Sequence, residues 1–256
     1  MIPALNFVIL LGLLTGLWVV SVRLRDASII DPFWGMGFVV VAWVCVAARE
    51  TAGSRGLLLA VLTSAWGLRL SGYLLWRNRA HAEEDRRYAA MRNFWGEKFW
   101  WVSYWTVFAL QGVILWVVSL PLQVGILSPE SYPLGPMDVV GSLIWLVGLM
   151  FESVGDWQLS RFKADPGNRG KVMNRGLWRY TRHPNYFGDF CVWWGLYVVS
   201  LGSGGWWTVF SPIVMGVLLM KVSGVALLEK DIGERRPEYA RYIRETSAFW
   251  PWWPRW

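Results

Sequence analysis

Cysteine and histidine are nearly absent from this sequence, which has two of each. Cys45 and Cys191 cannot staple a disulfide scaffold. As free thiols they are expected to be packing residues. A catalytic zinc site needs about three protein ligands, usually histidine-rich. His81 and His183 stand far apart, with no His-Glu-x-x-His string. Charge is scarce too: Asp, Glu, Lys and Arg make up 17% of the chain, against roughly 25% in a soluble domain. There is no Gly-x-Gly-x-x-Gly after a strand and no Gly-x-x-x-x-Gly-Lys-Ser/Thr loop. Any nucleotide would therefore sit outside a Rossmann or P-loop frame. No Gly-x-Ser-x-Gly elbow marks a serine hydrolase. Nothing resembles a zinc finger, a basic zipper or an RNA-binding motif, so no nucleic-acid partner is expected.

Apolar residues are abundant: 55% of the chain is hydrophobic, with 21 Trp among 256 residues. Disorder is excluded, since low hydrophobicity is its signature. The apolar blocks are too long for one buried face of a soluble globule. A bilayer core about 30 Å thick takes roughly 20 apolar residues per helix. Seven stretches qualify, near residues 3–22, 29–48, 57–76, 99–121, 137–156, 186–201 and 206–228, the sixth being short. The expected fold is all-α: a polytopic membrane protein with seven transmembrane helices in a single integral membrane domain over residues 1–256. No stretch has the pattern of a cleavable signal peptide, and the first is long enough to be retained as a span.

With the N-terminus outside, 21 of the 25 basic residues fall in the inner segments. The positive-inside rule thus supports an N-out, C-in orientation, and this bias accounts for the net charge of +7. Residues 79–100 are charged and amphipathic, with Tyr88, Met91, Phe94 and Trp95. They read as a cytoplasmic interfacial helix, or as a cover over a cofactor mouth. Most of the Trp residues suit the interfacial belt, including Trp250, Trp252, Trp253 and Trp256.

Ionisable groups inside spans are costly and usually line a cavity. Here they are Asp31 at the mouth of the second span, Arg69 in the third, and Glu152 and Asp156 on one face of the fifth. Asp189 lies in the sixth and Lys221 in the seventh, which Glu229 ends. They could fasten helices together. As a set, mostly toward cytoplasmic ends, they describe a polar chamber opening to the cytoplasm. Pro184 suits the first position of a helix. Arg179, Arg182 and His183 crowd that helix start, and Arg161, Lys163, Arg169 and Lys171 add charge upstream. Two guanidinium forks at a helix N-terminus make a phosphate site. The plain alternative is that these cations only enforce topology.

The string Arg182-His183-Pro184-Asn185-Tyr186-Phe187-Gly188-Asp189, followed by Trp193-Trp194-Gly195, resembles the C-terminal domain of the steroid 5α-reductase superfamily (3-oxo-5-alpha-steroid 4-dehydrogenase C-terminal domain). The whole chain looks like its bacterial DUF1295 branch. Supporting pieces are Asp26–Asp31, Trp66-Gly67-Leu68-Arg69-Leu70, Glu84–Tyr88, Glu152 with Asp156-Trp157-Gln158, and Leu228-Glu229-Lys230 with Arg235–Tyr239 and Tyr242.

The resemblance implies a seven-helix membrane enzyme that uses NADPH to reduce the carbon–carbon double bond of an enone lipid: a 3-oxo-Δ4-steroid, a sterol or a prenyl-derived compound. Residues of about 1–121 would form the substrate side and about 137–256 the cofactor-binding part. By resemblance Asp156, Asn185 and Asp189 match polar contacts to the cofactor, as do Arg69 and Tyr73. Lys221 stands where the animal enzymes have Arg, and Glu152 where they have Asn. With Arg161, Arg179, Arg182, His183, Tyr186 and Glu229, these make the expected cofactor-binding set.

The animal enzymes use a Glu and a Tyr to hydrogen-bond the substrate ketone. Asp31 is the candidate for the acid, and Trp66 stands at the matching Tyr position, a departure from the steroid pattern. Hydride addition to an enone builds negative charge on the ketone oxygen, and a neutral acid nearby stabilises it. An apolar pocket can keep a carboxylic acid neutral for this role. Asp31 could equally cap the second helix, ahead of Pro32. The expected location is a bacterial inner membrane, with the cofactor site facing the cytoplasm. The Arg-His-Pro-x-Tyr-x-Gly string also occurs in isoprenylcysteine and phospholipid methyltransferases, so an S-adenosylmethionine-dependent methyltransferase is the alternative. The basic residues 161–171 favour the 2′-phosphate of NADPH. A non-enzymatic lipid carrier or assembly factor would need no chamber with both charge signs.

Overall fold

A computed structural model describes residues 1–50, 53–79, 83–128, 133–222, 224–225, 229 and 237–255. The described residues are helical and contain no strand. Six helical stretches among them are long and apolar enough to cross a membrane: Ile2–Leu24, Ala27–Ala47, Ser54–Arg79, Arg86–Val118, Pro136–Ala164 and Gly205–Val222. These are the segments of an integral membrane protein. The stretch expected over 186–201 does form a helix, Pro184–Leu201. Asn185 and Asp189 in its first turns lower its apolar character, and it is not among the six. The chain divides into two compact units, 1–135 with 200–208, and 136–199 with 209–256.

In the first unit, α1 (Ile2–Leu24) starts with Pro3 in its first turn and ends on Arg25 in the left-handed region. It buries Asn6, Leu10, Leu14 and Ser21. Leu5, Val8 and Leu13 are exposed, as a lipid-facing surface requires. Buried Asn6 donates to Gln123 Oε1 at 3.1 Å and to Cys45 Sγ at 3.2 Å, and Gln123 donates to Ser119 Oγ at 2.8 Å. Such polar contacts fasten helices where lipid offers no hydrophobic driving force.

Helices α2 (Phe33–Ala47) and α3 (Ser54–Arg79) touch backbone to backbone. A Cβ on Gly35 would fall 2.2 Å from the Gly67 carbonyl oxygen. The short amphipathic α4 (Arg86–Trp95) buries only Tyr88. Gly96, at φ +52°, sets it off from the helical run that follows. That run passes from α5 (Phe99–Ser103) through a π-helical stretch, Tyr104–Ala109, into α6 (Leu110–Val118). It breaks at Ser119, and α7 (Leu120–Leu127) resumes with Pro121 in its first turn.

In the second unit, α8 (Pro136–Ala164) outruns the expected 137–156 by about two turns. It packs on α9 (Pro184–Leu201) through glycines spaced seven apart: Gly141, Gly148 and Gly155 on α8, Gly188 and Gly195 on α9. A Cβ on Gly188 would lie 2.4 Å from Glu152 N and 2.5 Å from Gly148 O, and one on Gly195 2.6 Å from Gly141 O. The second unit also contains α10 (Phe210–Val217), which runs into a π turn, Leu218–Val222, and α11 (Pro237–Glu245).

Gly148→Val is expected to force α8 and α9 apart and to cost more than the about 1–3 kcal/mol of ordinary overpacking, because backbone rather than a flexible side chain must yield. Gly72→Ala, with nothing within 4 Å, should instead stabilise α3 by up to about 1 kcal/mol through helix propensity. Thermal melts of the detergent-purified variants check both signs.

Candidate functional site

Among the described residues, polar side chains gather in both units. In the first unit Asp26 opens the turn Ala27–Ile30 by accepting from Ser28 N at 2.8 Å. The segment 84–92 clamps that turn. Ala27 N donates to Glu84 Oε1 at 2.7 Å, and Asp85 N to Ser28 Oγ at 2.8 Å. Arg92 makes a two-point pair with Glu84 at 2.8 Å on both arms. Asp85 caps α4 by accepting from Arg87 N at 2.9 Å. Burial alone would push the Asp85 carboxyl up, but the hydrogen bonds and charge of Arg87 outweigh it and hold it below the usual range. Two strings remote in sequence, Asp26–Asp31 and Glu84–Tyr88, therefore build one structure.

Asp31 lies at its centre, buried, where α2 begins. Both of its oxygens accept: Oδ1 from the Tyr88 hydroxyl and Oδ2 from Arg87 Nη2, each at 2.8 Å, with Arg77 Nη2 at 4.0 Å. Tyr88 in turn accepts from Gln111 Nε2 at 3.4 Å, and Gln111 Oε1 accepts from the Trp34 indole. Tyr88 and Gln111 were absent from the sequence-derived candidates. The available signal was the string Glu84–Tyr88, which carried part of the family resemblance without showing that its last residue meets Asp31. Trp66 is wholly buried on α3, 5.8 Å from Phe38 ring to ring. Arg69 and Tyr73 share a face of α3, with the guanidinium carbon 6.0 Å from the ring centroid.

In the second unit the glycine contact sets the start of α9 beside the late turns of α8. Asn185 Nδ2 donates to Asp156 Oδ1 at 3.2 Å, and the Asn185 amide oxygen accepts from Tyr186 N at 3.1 Å. Glu152 and Asp156 are buried on the same face of α8, and Asp189 is half-buried one turn into α9. Gln158 and Trp178 tie the intervening loop to α8, through Leu177 N to Gln158 Oε1 and Trp178 Nε1 to Gly155 O, both at 3.0 Å. Tyr186 stacks on His183, centroids 5.5 Å apart.

The basic residues at this helix start have different fates. Arg182 is buried and turned into the protein. Its Nε and Nη2 grip both Glu229 oxygens at 2.7 and 2.8 Å, and Nη1 donates to the carbonyls of Ile243 and Thr246. His183 Nε2 lies 2.9 Å from Glu229 Oε1, and the Tyr239 hydroxyl reaches the same oxygen at 3.5 Å. Burial would raise the Glu229 carboxyl, but hydrogen bonds from His183 and Arg182 and the charge of Arg182 hold it at about 2. Arg161 and Arg179 are exposed, Arg161 lying 5.3 Å over the Trp157 ring. Lys221 is exposed on the π turn after α10.

An all-helical integral membrane protein with a buried Asp31–Tyr88 couple and a carboxylate–amide pair across two glycine-packed helices is the class these features define. The chain belongs to the family described as a protein of unknown function, DUF1295, whose model matches residues 17–246. An uncharacterized protein of Schizosaccharomyces pombe is 24% identical over 95% of this chain and 78% of its own length. The 3-oxo-5-alpha-steroid 4-dehydrogenase 1 of Bos taurus is 33% identical over 31% of this chain and 32% of its own. A probable O-methyltransferase of Ustilaginoidea virens is 39% identical over 27% of this chain and 24% of its own. The chain thus spans about a third or less of the length of these two enzymes. No solved structure matches it.

Because the folded Glu229 titrates at about 2 and the free carboxyl near 4.5, its contribution to stability is fully present above about pH 4.5 and is lost as pH falls toward 2. Melts across that window should show this slope in the native chain and a flatter one in Glu229→Gln. Arg182→Met, which leaves the half-buried Glu229 carboxylate with His183 and Tyr239 but without its guanidinium, should lower stability by up to about 3 kcal/mol.

Proposed function

We propose that this protein is an NADPH-dependent reductase of the carbon–carbon double bond of an enone lipid, oriented N-out and C-in with the cofactor residues facing the cytoplasm. The observation that carries the reading is the buried Tyr88–Asp31 couple, the phenol-and-carboxyl chemistry that a ketone oxygen needs. The steroid dehydrogenase match and the 21 inner-segment cations of 25 support it.

The residues of the second unit fit a dinucleotide. Asp156 and Asn185 offer an acceptor and an amide for its hydroxyl and carboxamide groups. Exposed Arg161 and Arg179 suit its phosphates. Glu152, Tyr186, Asp189 and Lys221 supply further polar contacts. Arg182, His183 and Glu229 hold the helix start in place through one another. When bound, NADPH supplies a hydride to the β-carbon of the enone.

The chain's own part is electrostatic. As charge builds on the ketone oxygen, the Tyr88 hydroxyl turns its hydrogen bond from Asp31 to that oxygen, and the enolate so formed takes a proton from water at its α-carbon to complete the reduction. Asp31, balanced by Arg87, keeps the phenol oriented and Gln111 holds it from the other side. Trp66, without a hydroxyl, acts as wall. The lipid itself is apolar, matching a unit built of spans.

Nucleotide binding to detergent-purified protein tests the first half. NADPH is expected to raise the melting temperature more than NADH, since a ligand bound only by the folded state stabilises it. Asp156→Ala and Asn185→Ala should lose that shift. Stabilisation by S-adenosylmethionine alone would overturn the reading in favour of a methyltransferase. For the second half, Tyr88→Phe should cut enone turnover about 100-fold or more with the NADPH shift retained.

A further inference from the structure

Beyond Glu245 the chain makes a feature that the reductase chemistry does not use. Residues 246–255 fold back as a hook held by backbone. Arg182 N donates to Ser247 O, Trp252 N to Tyr180 O, and Arg255 N to Glu245 O, at 2.9, 2.9 and 2.8 Å. Thr181 Oγ1 donates to Phe249 O at 2.9 Å. Phe249 is buried against Phe187 and Phe190. Clamped so, the hook still turns three indoles outward: Trp250, Trp252 and Trp253 are 55%, 67% and 74% exposed. The family match stops at residue 246, so it does not extend over this hook.

The hook borders an open hollow of about 410 Å³, within the usual range of small-ligand sites. The charges on its wall do not cancel. Arg182 is neutralised by Glu229, and Glu245 pairs with Arg241 at 2.6 Å. Arg244 and Arg255, both exposed, remain as the rim cations. Exposed indoles beside a cationic hollow match the membrane–water interface, where Trp prefers the headgroup level and basic side chains are drawn to anionic lipid.

We infer that this cavity is a binding site for the phosphodiester headgroup of an anionic phospholipid, with Arg244 and Arg255 on the phosphate and the three indoles along the upper acyl chains. The site is independent of the reductase reading. It would seat the hook, and through Arg182 the start of α9, at a membrane of the right charge.

Native mass spectrometry of the full chain in neutral detergent tests it, with phosphatidylglycerol, phosphatidylcholine or inorganic phosphate added as probe. Phosphatidylglycerol is expected to remain bound and phosphatidylcholine to be lost. The exposed pair Arg244→Gln/Arg255→Gln should weaken phosphatidylglycerol binding about tenfold or more at an unchanged melting temperature. Trp252→Ala should weaken it with the charge intact. Equal retention of both lipids, unchanged binding in the double variant, or retention of inorganic phosphate as strong as that of the lipid would each overturn the proposal. Failure of NADPH to stabilise the native chain while phosphatidylglycerol stays bound would count against the reductase reading alone.

Discussion

Glycine at the contact between α8 and α9 is the constraint on which the second unit depends. With no hydrophobic effect to press helices together in lipid, close backbone approach is what makes their packing favourable. Gly148 and Gly188 meet so closely that neither tolerates a Cβ. That approach fixes the register of the two helices. The register in turn brings Asp156 opposite Asn185 and the Gly155 carbonyl opposite the Trp178 indole. A one-residue slip would bring side chains to the glycine positions and separate the polar pair.

The first unit solves a similar problem with charge. The turn before α2 could not hold a carboxylate in an apolar setting unaided. Glu84, Asp85 and Ser28 lock that turn to the start of α4, and Arg87 and Tyr88 then satisfy both oxygens of Asp31. A buried charge that is paired and hydrogen-bonded is tolerable where an isolated one is not. The amphipathic helix read from sequence as an interfacial element is thus also the source of the groups that complete the Asp31 cluster.

Arg182 illustrates why site reading from a string is ambiguous. Its place ahead of a helix that starts with proline fits a phosphate site, and equally a cation that only enforces topology. The structure gives it a third use, because its partners, Glu229 and the carbonyls of Ile243 and Thr246, lie 47 to 64 positions away. By contrast, Pro184 as a helix start was legible locally, since its fixed φ and missing N–H suit only that position within a helix.

Membership of the integral-membrane class is legible in the chain alone. Blocks of about twenty apolar residues are a local property, set by bilayer thickness. The sequence also carried the strings around Asp31, Asp156 and Asn185 that mark the candidate chemistry. The tertiary structure decided which of these groups meet. Tyr88 and Gln111 joined Asp31, Arg182 turned inward to Glu229, and a hook of tryptophans came to border a cationic hollow. Each is a contact between residues far apart in sequence, fixed by helix register and close packing rather than by any periodicity along the chain.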